Sequence, residues 1–113
     1  MHEISIMQNA LELAEKHALS AGATSISSIS LRVGAGSGVV PEALEFAFGV
    51  LKKQTLAASA SLHIERVPTE FRCSHCGALS HLHEIRFDCP ECNGLLIMGD
   101  GGNDLELSHL EVS

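Results

Sequence analysis

Ile4, Met7, Leu11, Ala14 and Ala18 recur at alternating separations of three and four residues, the spacing that aligns side chains on one helical face. Glu12, Glu15 and Lys16 fall off that stripe, and Gly22 tolerates the left-handed backbone that ends a helix, so the pattern predicts a helix over 3–21. The period then changes from helical to alternating. Ile29, Leu31 and Val33 point one way and Ser28, Ser30 and Arg32 the other, which predicts a half-buried strand over 26–33. The glycine-rich run from Gly34 to Gly38 breaks it. Pro41 suits the first turn of a helix, and Leu44, Ala47, Phe48 and Leu51 form a second apolar stripe that reaches about Gln54. A second strand is predicted over 61–67, with Leu62 and Ile64 inward, His63 and Glu65 outward, and Pro68 as its stop.

Residues 70–98 break with this regularity. They hold all four cysteines and three of the seven histidines, show little apolar periodicity, and are too few to fold on an apolar core alone, so they need a metal. The run Gly99, Asp100, Gly101, Gly102, Asn103, Asp104 reads as a turn or linker. A third strand is predicted over 105–112, and its apolar phase shifts between Leu107 and Leu110, which predicts a bulge or a change of face. A lone strand after the cysteine module has no stable partner there, so the economical solution returns it to the sheet of the first half. The expected class is α+β: two helices packed on a three-stranded, mostly antiparallel sheet, with a small zinc-ribbon-like module inserted before the last strand. The expected domains are 1–68 with 100–113, and 69–99. There is no internal repeat.

Composition narrows the function. Of 113 residues, 45% are hydrophobic and 19% charged, a folding composition. A net charge of −7 argues against nucleic acid or an anionic membrane as a partner. No apolar run approaches the roughly 20 residues that span a bilayer. The start Met1-His2-Glu3 has neither the basic flank nor the apolar core of a signal peptide, which predicts a cytoplasmic chain. In a reducing compartment, four cysteines point to metal ligation ahead of disulfides.

Their spacing is specific. Cys73-x2-Cys76 and Cys89-x2-Cys92 each form a tight knuckle, and two knuckles complete a tetrahedron of thiolates around one ion. Gly77 and Gly94 follow the pairs within two residues and supply turn freedom. This donor set takes zinc(II) in a structural site, and tetrahedral iron of the rubredoxin type fits the same set. Neither pair opens a helix after a buried strand, which disfavours a thioredoxin-like redox motif. Loading zinc on four thiolates takes the formal charge from −7 to about −9, which weakens a nucleic-acid role for the module. With four positions filled, the site has no opening for catalysis. His75, His81 and His83 crowd this region, either as tuning or replacement ligands and pH sensors or as plain solvated side chains.

A second candidate lies at the chain start. A bulky residue at position 2 generally blocks removal of the initiator Met, so the α-amine of Met1 lies next to the His2 imidazole. With the amides of His2 and Glu3, these offer up to four nitrogens in one plane, a set that selects nickel(II) or copper(II) over zinc. The Glu3 carboxylate offers a weak oxygen ligand or a hydrogen bond to the ligand shell. The ordinary reading of such a tripeptide is a frayed, solvated helix start. His17, His63 and His109 lack partners three or four residues away and read as surface residues.

Taken together the chain resembles a known family. Met1-His2-Glu3-Ile4-Ser5 opening a helix looks like the MHE-x-S start of the hydrogenase nickel-incorporation proteins, the HypA/HybF family. Leu31-Arg32-Val33-Gly34, Leu44-Glu45-Phe46-Ala47-Phe48 and Leu62-His63-Ile64-Glu65 resemble its N-terminal domain, the four cysteines match its zinc domain, and Leu105-Glu106-Leu107 through Leu110-Glu111-Val112 resembles its closing strand. The resemblance implies a nickel-binding domain with a zinc domain inserted before its last strand. It implies a cytosolic metallochaperone that works with a hydrogenase-maturation GTPase to deliver nickel to the large subunit of [NiFe] hydrogenase, with urease as a second client, as a monomer or homodimer. His2 matches the family's nickel ligand and Glu3 its neighbour. The chain departs from the family pattern after Gly34, where many members are less glycine-rich. That run also lacks the Lys-Ser/Thr of a phosphate loop, which favours a flexible turn.

Two other functions compete with this reading. A zinc-ribbon adaptor predicts a basic, aromatic face, but residues 70–98 set Arg72, Arg86, Phe71 and Phe87 against Glu70, Glu84, Asp88 and Glu91. An iron electron carrier predicts a red protein. An enzyme is not expected, because no nucleophile–base pair or open metal site is legible.

Overall fold

The computed structural model describes residues 2–99 and 105–113, with His2 by its backbone alone. Helix α1 runs His2–Ser20 and helix α2 Pro41–Leu51, with Pro41 at its start as the sequence predicts. A 3-10 turn, Lys52–Gln54, extends α2 to the expected end. Strand β1 spans Ile26–Gly34, β2 Ser61–Val67 and β6 Leu105–Val112. Between β2 and β6 lie β3 (Thr69–Cys73), β4 (Leu79–Leu82) and β5 (Leu96–Met98).

The strands form two three-stranded sheets, β2-β1-β6 and β4-β3-β5. In the first, Ser25 exchanges backbone hydrogen bonds with Ser113, and Arg32 reaches Glu106 across the pair, so β6 runs antiparallel to β1. On the other side Ile26 lies beside Leu56 and Arg32 beside Glu65, the order of a parallel pair joined through a helical crossover. Antiparallel pairing prevails elsewhere, with β3 flanked by β4 and β5. The closing strand therefore returns to the first sheet, as the instability of a lone strand requires.

The chain divides into two compact units, 1–32 with 39–65 and 106–113, and 33–38 with 66–105. In the first, α1 packs along α2. It buries Met7, Ala10, Leu11, Ala14 and Ala18, while Ile29 and Leu31 from β1 and Leu44, Ala47 and Phe48 from α2 are likewise shielded. The predicted stripe holds except at its first member. Ile4 is 41% exposed and Ala10 is buried instead. In β6, contacts from Ser27 to Glu111 and from Ser108 to Ser30 keep the register set at Ser25 and Ser113. The phase shift at Leu107 and Leu110 is thus a change of face, without a bulge.

The second unit has a small core of Phe71, Cys73, Cys89 and Leu96, with Leu82 packed against it. Its β3 carries an alternation that the sequence reading left unread, with Thr69, Phe71 and Cys73 buried. The glycine-rich run belongs to this unit: the Gly36 N–H donates to Thr69 Oγ1 at 2.6 Å, satisfying a hydroxyl that is fully buried. Of the predicted linker 99–104, Gly99 donates to the Glu70 carbonyl at 2.7 Å, and Asp100–Asp104 lies outside the described residues.

Candidate metal centre

Strand β3 delivers Cys73 at its end, the turn into β4 carries Cys76, and the loop ahead of β5 carries Cys89 and Cys92. The second knuckle repeats the first bond for bond. Cys73 donates to the Ala78 carbonyl at 2.9 Å and Cys89 to the Gly94 carbonyl at 2.8 Å. Gly77 donates back to the Cys73 carbonyl at 3.1 Å and Asn93 to the Cys89 carbonyl at 2.9 Å. The left-handed positions that such turns need fall on Gly77 (φ 76°) and Asn93 (φ 65°), a residue type that tolerates them. Gly94 serves a different purpose from the one its place in the sequence suggests. A Cβ there meets His75 Cβ at 2.7 Å and Cys73 Sγ at 3.0 Å, so it is glycine because the two knuckles close on each other.

The four sulfurs lie within 4.8 Å of one another. Cys73 and Cys92 are separated by 3.5 Å and Cys76 and Cys89 by 3.9 Å. Sulfurs about 2.3 Å from one tetrahedral ion stand about 3.8 Å apart, whereas a disulfide holds them at about 2.05 Å. The geometry is that of a metal site. Backbone amides complete it: His75 and Cys76 each donate to Cys73 Sγ at 3.3 Å, Glu91 to Cys89 Sγ at 3.4 Å and Gly94 to Cys92 Sγ at 3.4 Å. The Cys76 amide foremost, then the His75 amide, brings the Cys73 thiol down to about 6 against the opposing effect of burial. Cys92 moves the other way. Its thiolate gains from the Gly94 amide, yet the hydrogen-bonded sulfur of Cys73 first, then burial and the sulfurs of Cys76 and Cys89, push it up to about 12. Four sulfurs within 4.8 Å of one another are a ligand set for one cation, and a thiol that ligates a cation gives up its proton.

His75, His81 and His83 are all exposed on this unit, and the four cysteines need no further ligand. Of the residues that a basic, aromatic face would use, Phe87 is 72% exposed. Phe71 is core, and Arg86 donates through Nε and Nη2 to Asp88 at 3.2 Å each, which holds that carboxyl below its usual range. In the other unit His17 and His109, which the sequence left isolated, share a cavity of about 400 Å³ with Ala21, Ser108 and Leu110. No cysteine or carboxylate lines it, so it offers imidazoles without a ligand set.

The chain start is the other predicted site. Met1 and the His2 side chain lie outside the described residues, so their predicted metal contacts are not part of the geometry. Glu3 is described: it is half-buried, and its Oε2 accepts the Val40 N–H at 3.2 Å, at the entry to α2. Val40 has no distinguishing chemistry in the sequence. Its only signal is its place just before Pro41.

The family described as "Hydrogenase/urease nickel incorporation, metallochaperone, hypA" matches residues 1–112. The hydrogenase maturation factor HypA of Picosynechococcus sp. is 40% identical over 112 residues, 99% of each chain, and that of Geobacter metallireducens is 38% identical over the same share. The fold resembles the solution structure of the Ni metallochaperone HypA from Helicobacter pylori, with a TM-score of 0.67 and 24% identity over 97% of this chain and 96% of that one. With the family pattern running from residue 1 to 112 and relatives matched along their whole length, the chain belongs to the HypA family of hydrogenase/urease nickel-incorporation metallochaperones.

Proposed function

We propose that this chain binds nickel(II) at its N-terminus and hands it to [NiFe] hydrogenase during maturation, while the four-cysteine site holds a resident zinc(II). Residues 1–68 with 100–113 then form the nickel-binding domain and 69–99 the zinc domain. The observation that carries this reading is the closure of the cysteine site. Four converging thiolates with amides on their sulfurs leave no open position, so an ion held there is structural, and a cargo ion needs another place. His2 supplies the imidazole, the Met1 amine and the amides of His2 and Glu3 the remaining nitrogens, a set that favours nickel(II) over zinc. The net charge of −7 draws divalent cations toward the protein.

The partners that fit are a hydrogenase-maturation GTPase and the hydrogenase large subunit, in the cytoplasm, with the chain as a monomer or homodimer and its metal as cargo instead of catalyst. No helix among the described residues is long and apolar enough to cross a membrane. Nickel titration of the zinc-loaded protein against His2→Ala is the test. The wild type should bind one nickel(II) more weakly than its zinc, and the variant should lose at least tenfold in affinity, about 1.4 kcal/mol. Equal affinities would remove the N-terminal site.

A further inference from the structure

Strand β6 is the open edge of its sheet. In the order β2-β1-β6 it pairs with β1 on one side, and among the described strands none pairs with it on the other. Antiparallel ladders alternate between residue pairs that exchange backbone hydrogen bonds and pairs that turn their backbone groups away. Ser25 and Ser113 exchange both bonds, at 3.2 and 3.0 Å. Counting back by twos, Glu111, His109 and Leu107 turn their backbone groups to β1, and the Ser27 hydroxyl duly reaches the Glu111 carbonyl at 3.1 Å. Glu106, Ser108, Leu110 and Val112 therefore turn their N–H and C=O groups outward. Three of these four line the cavity of about 400 Å³ that His17 and His109 share. In the same register His109 stands beside Ile29, which is buried against the helices, so its imidazole lies on the side of α1 and His17. Both histidines are exposed. We infer that a second copy of this chain pairs with the β6 edge across a two-fold axis, and that the seam gathers two His17 and two His109 imidazoles around one divalent cation of the zinc class.

The pairing follows from the edge itself. One two-fold register engages all four outward residues, with Glu106 against Val112 of the second copy and Ser108 against its Leu110, each twice. Centring the axis on Ser108 leaves Val112 without a partner, and centring it on Leu110 leaves Glu106 without one. The complete register centres on His109. It sets that residue against the second copy's His109 as a non-hydrogen-bonded pair, with Cβ atoms about 4.5–5.5 Å apart. Charge agrees with it. No acid faces an acid, because Glu106 meets Val112 while Glu111 meets Leu107 and lies diagonal to the second copy's His109. A cavity with two imidazoles and no further ligand thus gains two more imidazoles, and four such nitrogens suit zinc(II). The cation is also what the seam needs. Chains of net charge −7 repel each other. A ladder over 106–112 is about 24 Å long and one strand deep, well short of the roughly 800 Å² per partner of a standard interface.

The test uses the full chain with its cysteine site already loaded with zinc, to which further zinc(II) is added as the probe. Mass is followed by sedimentation, bound zinc by titration, and backbone protection by hydrogen exchange. Without further zinc the chain should sediment as a monomer. With it, a dimer should form at one additional zinc per two chains, and exchange at the Ser108 and Leu110 amides should slow. His109→Ala and His17→Ala, both at exposed positions, should keep the monomer fold and weaken zinc-driven dimerisation at least about tenfold. A chain that stays monomeric at every zinc concentration overturns the proposal, as does one further zinc per chain without a change in mass. A dimer that forms equally well without zinc or in His109→Ala overturns the shared cation site. A zinc-linked dimer with unslowed Ser108 and Leu110 amides would use another face, and the β6 edge would be the wrong one.

Discussion

Gly94 shows how a residue recognised in sequence takes its reason from the fold. Its distance from Cys92 suggests turn freedom, yet the left-handed backbone lies one residue earlier, on Asn93. What excludes a side chain at 94 is the approach of His75 and of the Cys73 sulfur from the other knuckle. Gly94→Ala should therefore cost the module about 1–3 kcal/mol through overpacking, read as faster metal loss to a competing chelator. Unchanged release would mean that the knuckles yield freely. The cysteines themselves were fully legible, since ligand spacing is local. The Val40 amide was not, because a backbone group has no sequence signature and its partner lies 37 positions away.

At the scale of elements, period outweighs composition. Helix α2 contains two phenylalanines; Phe48 falls on the stripe and is 5% exposed, whereas Phe46 falls off it and is 73% exposed. Leu44→Ala, at a fully buried position, should destabilise the first unit by about 2–5 kcal/mol in urea unfolding. Phe46→Ser should stay within about 0.5 kcal/mol. A comparable loss at Phe46 would show that face to be packed in solution. Strands β3, β4 and β5 were the elements missed, and of these β3 carries the clearest pattern. Its alternation of Thr69, Phe71 and Cys73 is short, follows Pro68 at once and ends in a metal ligand, so the cysteine signal masked the strand signal. Both sheets around it are built from pairings that no spacing along the chain specifies.

The two units depend on different forces. The first shields residues from both helices and β1, while the core cluster of the second has, among the described residues, four buried members, two of them cysteines, which is too little apolar burial to stand by itself. Stripping the metal with a chelator should abolish the β3 amide protection while the helical far-UV signal largely persists, and Cys76→Ser should do the same. Loss of the helical signal along with β3 would mean that the units fold as one. The sequence by itself determined the two helices, the three outer strands and the metal ligands, because helical period, alternation and CxxC spacing are all short-range relations. It also carried the family resemblance. Tertiary structure alone decided that β6 lies beside β1, that Gly36 meets Thr69, that Gly94 must lack a side chain and that Glu3 closes on Val40. Each of these joins residues far apart in the chain, and such contacts follow from how whole elements bury their faces.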